Sequence, residues 1–186
     1  MTRIALDPSC QFHNQGIGGY IEAHGAYQIA IACAAWLEDN HGDKVETILS
    51  RSPVNQWKHD PRYLENEIHA VNVSGAKYCV SIHSDAGGGH GVTCFKGGAV
   101  SHKLGQCLLD EIKSLLPLVR PTPIYHYKDK GGRRYLGIIR RTIMPTCLIE
   151  CGFHDNAQDM KILGTPDGRG EIGRALARGI AKFLKC

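Results

Sequence analysis

Lys77-Tyr-Cys-Val-Ser-Ile-His-Ser-Asp-Ala86 is a short apolar run that stops on polar side chains. Val80 and Ile82 give it a β-branched core, His83, Ser84 and Asp85 end it, and Gly87, Gly88 and Gly89 follow. An apolar segment of this length bounded by glycines reads as a buried strand that delivers one polar side chain to the rim of a sheet. Open α/β sheets place their chemistry at such strand ends. Two further strand-like segments end in the same way, at Asp7 and at Glu150. The expectation is that His83 is a metal ligand and that the other two rims complete its site.

Outward from this strand, two periodicities alternate. Strand patterns over 3–7, 44–49, 91–95 and 146–150 are interleaved with helical patterns over 22–38, 63–74, 101–116, 156–163 and 172–184. Residues 136–141 fit either a short helix or a strand. The longest irregular stretch, 117–134, holds Pro117, Pro121, Pro123, Tyr125, Tyr127 and the turn Gly131-Gly132. Loops of that length in a compact domain are usually functional or mobile. The alternation predicts an α/β fold: one layered domain over 1–186, with a mostly parallel, mixed central sheet and helices on both faces. No repeat or low-complexity tract interrupts it.

Composition excludes several classes. The 186 residues are 42% hydrophobic and 22% charged, ordinary for a soluble globular chain. No apolar run approaches the roughly 20 residues that cross a bilayer, so membrane insertion is not expected. The net charge of +4 suits an anionic polymer, but no Lys/Arg block is interleaved with aromatics, which argues against a nucleic-acid groove. The first residues enter a strand pattern without a charged leader or apolar h-region. That predicts a chain made in the cytoplasm without an export signal. The eight cysteines form no CxxC pair, and Cys33, Cys79, Cys107 and Cys147 sit in apolar runs. Buried reduced thiols are expected, rather than disulfides or a zinc ribbon. The triple glycine lacks the Lys-Ser/Thr of a phosphate-binding loop.

Four positions carry polar residues that apolar packing does not explain. Asp7-Pro-Ser-Cys-Gln11 closes the first strand, Glu22 opens the first helix, His83 closes the central strand, and Glu150 closes the late one. If these strands are parallel neighbours, all four share one edge of the sheet. A histidine, one or two carboxylates and a further nitrogen or sulfur donor describe a zinc site with an open position. Such a site activates water against a carbonyl, and a carboxylate beside it serves as general base.

The chain resembles the zinc-dependent N-acetylmuramoyl-L-alanine amidases of the amidase-3 type, the family of bacterial autolysins and phage endolysins. Ser81-Ile-His-Ser-Asp-Ala86 matches its Ser-Ile-His-x-Asn/Asp-Ala motif. Met144-Pro-Thr-Cys-Leu-Ile-Glu-Cys-Gly-Phe-His-Asp-Asn156 matches its late Met-Pro-x-x-Leu-x-Glu-x-Gly-Phe motif. The resemblance runs in order from Ile4 to about Leu184. It implies hydrolysis of the amide between N-acetylmuramic acid and L-alanine of peptidoglycan, with Zn2+ bound by Glu22 and His83 and with Glu150 catalytic. It further implies a peptidoglycan substrate, no nucleic-acid partner and a monomer that reaches the wall after release by lysis.

One motif departs from the family. Where the family has Asp-Pro-Gly-His-Gly, this chain has Asp7-Pro-Ser-Cys-Gln11. Cys10 is a competent zinc ligand, some branches of the family carry Pro-Ser-x-Gln here, which brings in Gln11, and His13 is a third candidate. Structural alternatives stand beside the other positions too. A helix macrodipole alone favours Glu22, and His24 and His90 read as solvated loop histidines. Arg140 or Arg141 could meet a stem-peptide carboxylate, and Tyr125 and Tyr127 could face substrate. Two other functions remain open: a wall-binding module that has lost its metal, which the retained Glu150 argues against, and a zinc peptidase cutting within the stem peptide.

Overall fold

The computed structural model describes residues 1–119, 124–125 and 136–186. In chain order the elements are β1 (Thr2–Pro8), α1 (Glu22–His41), β2 (Val45–Leu49), α2 (Tyr63–Val73), β3 (Tyr78–Asp85), β4 (Val92–Lys96), α3 (Ala99–Ile112), β5 (Ile124–Tyr125), α4 (Gly137–Arg141), β6 (Thr146–Phe153), α5 (Met160–Leu163) and α6 (Pro166–Leu184). They form a six-stranded sheet in the order β2-β1-β3-β6-β4-β5. β2, β1, β3 and β6 run parallel, whereas β4 is antiparallel to β6. The expected mostly parallel, mixed sheet is the one found.

Alternation along the strands divides the core in two. Ile4 and Leu6 of β1, Val80 and Ile82 of β3, and Cys147 and Ile149 of β6 pack under α1, α3 and α6. The intervening Ala5, Cys79 and Leu148 face the opposite way, against Ile68 and Val71 of α2 and Ile138 of α4. Because side chains alternate along a strand, Asp7, Ser81, His83 and Glu150 belong to this second face.

The helices of the first face pack unusually close. A Cβ added at Gly173 of α6 would lie 2.6 Å from both Ala32 Cβ and Ile29 O of α1. One added at Gly179 would lie 2.8 Å from Cys107 O and Leu108 Cα of α3. The hydrogens of these two glycines are what allow α6 to sit in the groove between α1 and α3.

Several boundaries differ from expectation. β3 and β6 run past His83 and Glu150, so neither residue terminates its strand. The ladder shifts after His83–Glu150 and resumes at Asp85–Phe153, so β6 takes in an extra residue. Gly152, at φ +108°, accommodates that bulge. α3 stops at Ile112, where the chain tightens into a turn in which Leu115 N–H donates to Ile112 O at 2.9 Å. α6 begins six residues before the expected position. Thr165 caps it by accepting from Gly168 N–H, and Pro166 fits the first turn. All eight cysteines are free thiols, as expected, though Cys107 is only half-buried.

The close helix packing makes opposite predictions for two glycines of one helix. Gly173→Ala should lower stability by about 1–3 kcal/mol through overpacking, despite alanine's better helix propensity. Gly170→Ala meets only the flexible Arg174 guanidinium, at 3.3 Å, and should raise stability by up to about 1 kcal/mol. Urea denaturation of both variants checks this; equal effects would show that the α1–α6 contact is looser than described.

Candidate active site

β3 and β6 set the site's axis. His83 and Glu150 are register partners in the parallel ladder, so their side chains leave neighbouring strands on the same face. α1 starts at the same edge and brings in Glu22, which is 1% exposed. The loop between β1 and α1 supplies the rest. Asn14 O accepts from Glu22 N–H at 3.1 Å, which folds this loop over the first turn of α1.

Four side chains converge there. His83 Nδ1 lies 2.9 Å from Glu22 Oε1 and 3.4 Å from the Gln11 amide nitrogen. Asn14 Nδ2 donates to both Gln11 Oε1 and Glu22 Oε2, each at 2.7 Å. Of the three donors expected to compete for the first position, Gln11 is the one in this cluster. The Cys10 thiol is buried and hydrogen-bonded to Glu67, with Arg51 and Asp7 as its other charged neighbours. Burial, reinforced by Glu67, pushes that thiol's pKa well above its ordinary value. His13 is exposed and borders a cleft of about 420 Å³ shared with Phe12, Lys58, His59 and Tyr63.

The electrostatics follow from burial and pairing. Burial alone would raise the Glu22 pKa, but the hydrogen bond and charge of His83, with hydrogen bonds from Asn14 and Ser9, hold it below the usual carboxylate range. Burial works against the His83 imidazolium, yet Glu22, Glu150 and Glu67 outweigh it and raise its pKa to about 9. Burial pushes Glu150 up to about 8, opposed by the charge of His83 and supported by those of Glu22 and Asp85. Glu150 Oε2 is buried and has no hydrogen-bond partner among the described residues.

The donor set suits a zinc ion. Among the described residues no three His, Cys, Asp or Glu side chains cluster to hold a metal. Glu22 and His83 nonetheless present an anionic oxygen and a ring nitrogen to one point, and an amide supplies the third donor. His83 and Glu22 are hydrogen-bonded to each other at 2.9 Å, with the Gln11 amide nitrogen 3.4 Å from the same ring nitrogen; it is the chemistry of a carboxylate beside an imidazole that fits zinc. Gln11 Nε2 faces His83 because its Oε1 accepts from Asn14, so the amide oxygen becomes a metal donor only by leaving that hydrogen bond.

A second layer fixes the rim, and most of it breaks no sequence pattern. Ser81 Oγ donates to Asp7 Oδ2 at 2.8 Å and ties β1 to β3 beneath His83. Asp159, fully buried, accepts from Gly91 N–H at 2.7 Å and Phe153 N–H at 2.8 Å, and its other oxygen lies 2.5 Å from His90 Nδ1. His90 is therefore paired, not simply solvated. His24 also has a partner, Asn55, at 3.2 Å. Gly87 and Gly88 N–H groups both donate to Asp155, which pins the glycine loop to the loop after β6. Arg141 pairs with Glu65 of α2 at 3.0 Å, and Arg140 is exposed. Tyr127 and the Tyr125 side chain lie outside the described residues.

Comparison with known proteins agrees with this architecture. The family described as N-acetylmuramoyl-L-alanine amidase (Amidase_3) matches residues 4–182, and the chain belongs to it. It is 28% identical over 188 residues to the N-acetylmuramoyl-L-alanine amidase CwlM of Bacillus licheniformis, covering 98% of this chain and 68% of that protein. Its fold is that of the catalytic domain of CwlV, an N-acetylmuramoyl-L-alanine amidase from Bacillus (Paenibacillus) polymyxa var. colistinus: TM-score 0.80, 21% identity, 100% of this chain and 99% of that one. Cwp6 from Clostridium difficile is similar at TM-score 0.79 and 22% identity over 97% of this chain, which spans 29% of Cwp6.

Glu67 offers a test of these electrostatics. It is 5% exposed, its Oε1 has no partner among the described residues, and burial, then the charge of Asp7, raises its pKa to about 8. A carboxyl with a folded pKa near 8 and an unfolded value of about 4.3 takes up a proton on folding. Its contribution to stability is full below the unfolded value and is lost as pH rises towards 8. Glu67→Gln stays neutral throughout. It should be near-neutral for stability at pH 4.5 and stabilising by about 1–3 kcal/mol at pH 8.5. Thermal melts across that range read the difference, and a gain independent of pH would refute the burial account.

Proposed function

We propose that this chain hydrolyses the amide between the lactyl group of N-acetylmuramic acid and the L-alanine of the peptidoglycan stem, with zinc held by Gln11, Glu22 and His83. Family membership supports the reaction class. The observation that carries the assignment is Glu150: a carboxyl on the same sheet face as His83, opposite it in register, with a buried oxygen that no described residue satisfies. An unpaired buried carboxylate is costly, and the proton transfers of amide hydrolysis give it a use.

When bound, zinc supplies the Lewis acidity that polarises the scissile carbonyl. Glu22 contributes the negative charge of the donor set, His83 a ring nitrogen and Gln11 an amide oxygen. Asn14 holds the Glu22 carboxylate by donating to its Oε2. Ionised Glu150 takes a proton from the attacking water through its unpartnered oxygen and delivers it to the L-alanine nitrogen as the C–N bond breaks. Its raised pKa makes it a stronger base than an ordinary carboxylate.

Glu150→Ala is expected to retain about one zinc per chain and to lose about 10²–10⁴-fold in wall hydrolysis. Elemental analysis and turbidity assays on purified walls measure the two quantities. Digestion should release peptides with a new N-terminal alanine; a different new terminus would make the protein a peptidase of the stem. Gln11→Ala should lose zinc and Cys10→Ser should keep it, and the reverse pattern would move the first donor to the thiol.

A further inference from the structure

Arg51 lies directly after β2, is 1% exposed, and is among the largest fully buried side chains of the described residues. Among those residues it forms no ion pair with a carboxylate. Its guanidinium is spent on backbone carbonyls. Nε donates to Pro8 O at 3.2 Å, Nη1 to Val54 O, and Nη2 to both Ser9 O at 2.8 Å and Ala23 O at 2.7 Å. The rings of Phe12 and Tyr27 flank it, with centroids 5.4 and 5.0 Å from Cζ. Glu67 and Asp7 offset its charge from nearby without bonding it, so all of its hydrogen bonds go to the backbone of the segments around it.

The positions of those carbonyls give this arrangement a purpose. Ser9 lies two residues before Gln11, and Ala23 follows Glu22. One nitrogen therefore bridges the two chain segments that carry two of the three zinc donors, while the third, His83, is fixed by the sheet. Nε and Nη1 extend the same plane to the end of β1 and to the loop after β2. Only a planar fork with several donors reaches all these carbonyls together; a lysine ammonium is a single point on a flexible stem. We propose that Arg51 is a positioning residue for the metal site, setting the spacing between Gln11 and Glu22 through the Ser9 and Ala23 carbonyls. This rests on the reading that Gln11, Glu22 and His83 hold zinc.

The test uses the full chain with zinc alone as the probe. Zinc affinity is measured by chelator competition, thermal stability by melting, and local opening by amide hydrogen exchange in the metal-free protein. Arg51→Lys should bind zinc at least tenfold more weakly and exchange faster over residues 9–14 and 22–25, with β3 and β6 amides unchanged. Leu108→Ala, a buried truncation in α3 far along the chain from this loop, should lower the melting temperature while leaving zinc affinity at the wild-type value. Wild-type affinity in Arg51→Lys, or an equal loss in Leu108→Ala, overturns the proposal. Should Arg51→Lys not fold, Tyr27→Leu decides, since it keeps the guanidinium and removes one flanking ring: severalfold weaker zinc binding supports the role, and unchanged binding overturns it. If the wild type itself binds no zinc, the metal reading fails separately. The exchange data then judge Arg51 alone, with faster opening of both segments in its favour and unchanged exchange against it.

Discussion

The parallel register between β3 and β6 is the constraint on which the rim depends. It places His83 opposite Glu150, and it is enforced well below them. Val80 and Ile82 with Cys147 and Ile149 must face α1, α3 and α6, while Cys79 and Leu148 must face α2 and α4. A one-residue slip of either strand would exchange the faces of its whole apolar set. The core thus fixes the geometry of two polar groups that contribute nothing to it, and the bulge at Gly152 confines the irregularity to residues beyond them.

What the sheet fixes in position, burial sets in charge. Burial raises Glu67 and Glu150, whereas pairing outweighs burial at Glu22, which is held down, and at His83, which is raised. His83 and Glu22 settle one another as a charged pair. Glu67 and Glu150, lacking such a partner, move upward together. Strongly shifted groups gather at functional sites for this reason: the same desolvation that costs stability tunes proton affinity.

The sequence displayed the parts of this arrangement that interrupt a pattern. His83 and Glu150 stand out as polar breaks in apolar runs, and Glu22 at the head of a helical pattern. The alternation of strand and helix carried the fold. Other features broke no pattern. The ends of β3 and β6 lie beyond the expected positions because a polar residue inside a strand looks the same as one that ends it. Two-residue β5 is too short to have a period. In the loop between β1 and α1 nothing in the sequence says which of Cys10, Gln11 and His13 approaches His83, because the loop's path depends on contacts with distant residues, Ser9 O with Arg51 and Asn14 with Glu22. Arg51 itself sits in a Ser-Arg-Ser-Pro stretch that reads as an ordinary surface turn, whereas Thr165-Pro166 carries a helix-start signal that matches the observed beginning of α6.

The thiols described with the core have a further use. Six of the eight cysteines are buried, divided between both sides of the sheet and the loop after β1, and two are half-buried, Cys107 within α3 and Cys186 just after α6. Thiol alkylation requires access and the thiolate, and burial suppresses both. A timed pulse of alkylating reagent followed by mass mapping would therefore date the opening of each region separately. Cys79 would report on the α2 side of the sheet, Cys33 on the α1 groove and Cys10 on the loop beside the site. The native chain already contains the labels needed to learn whether that loop opens before the sheet does.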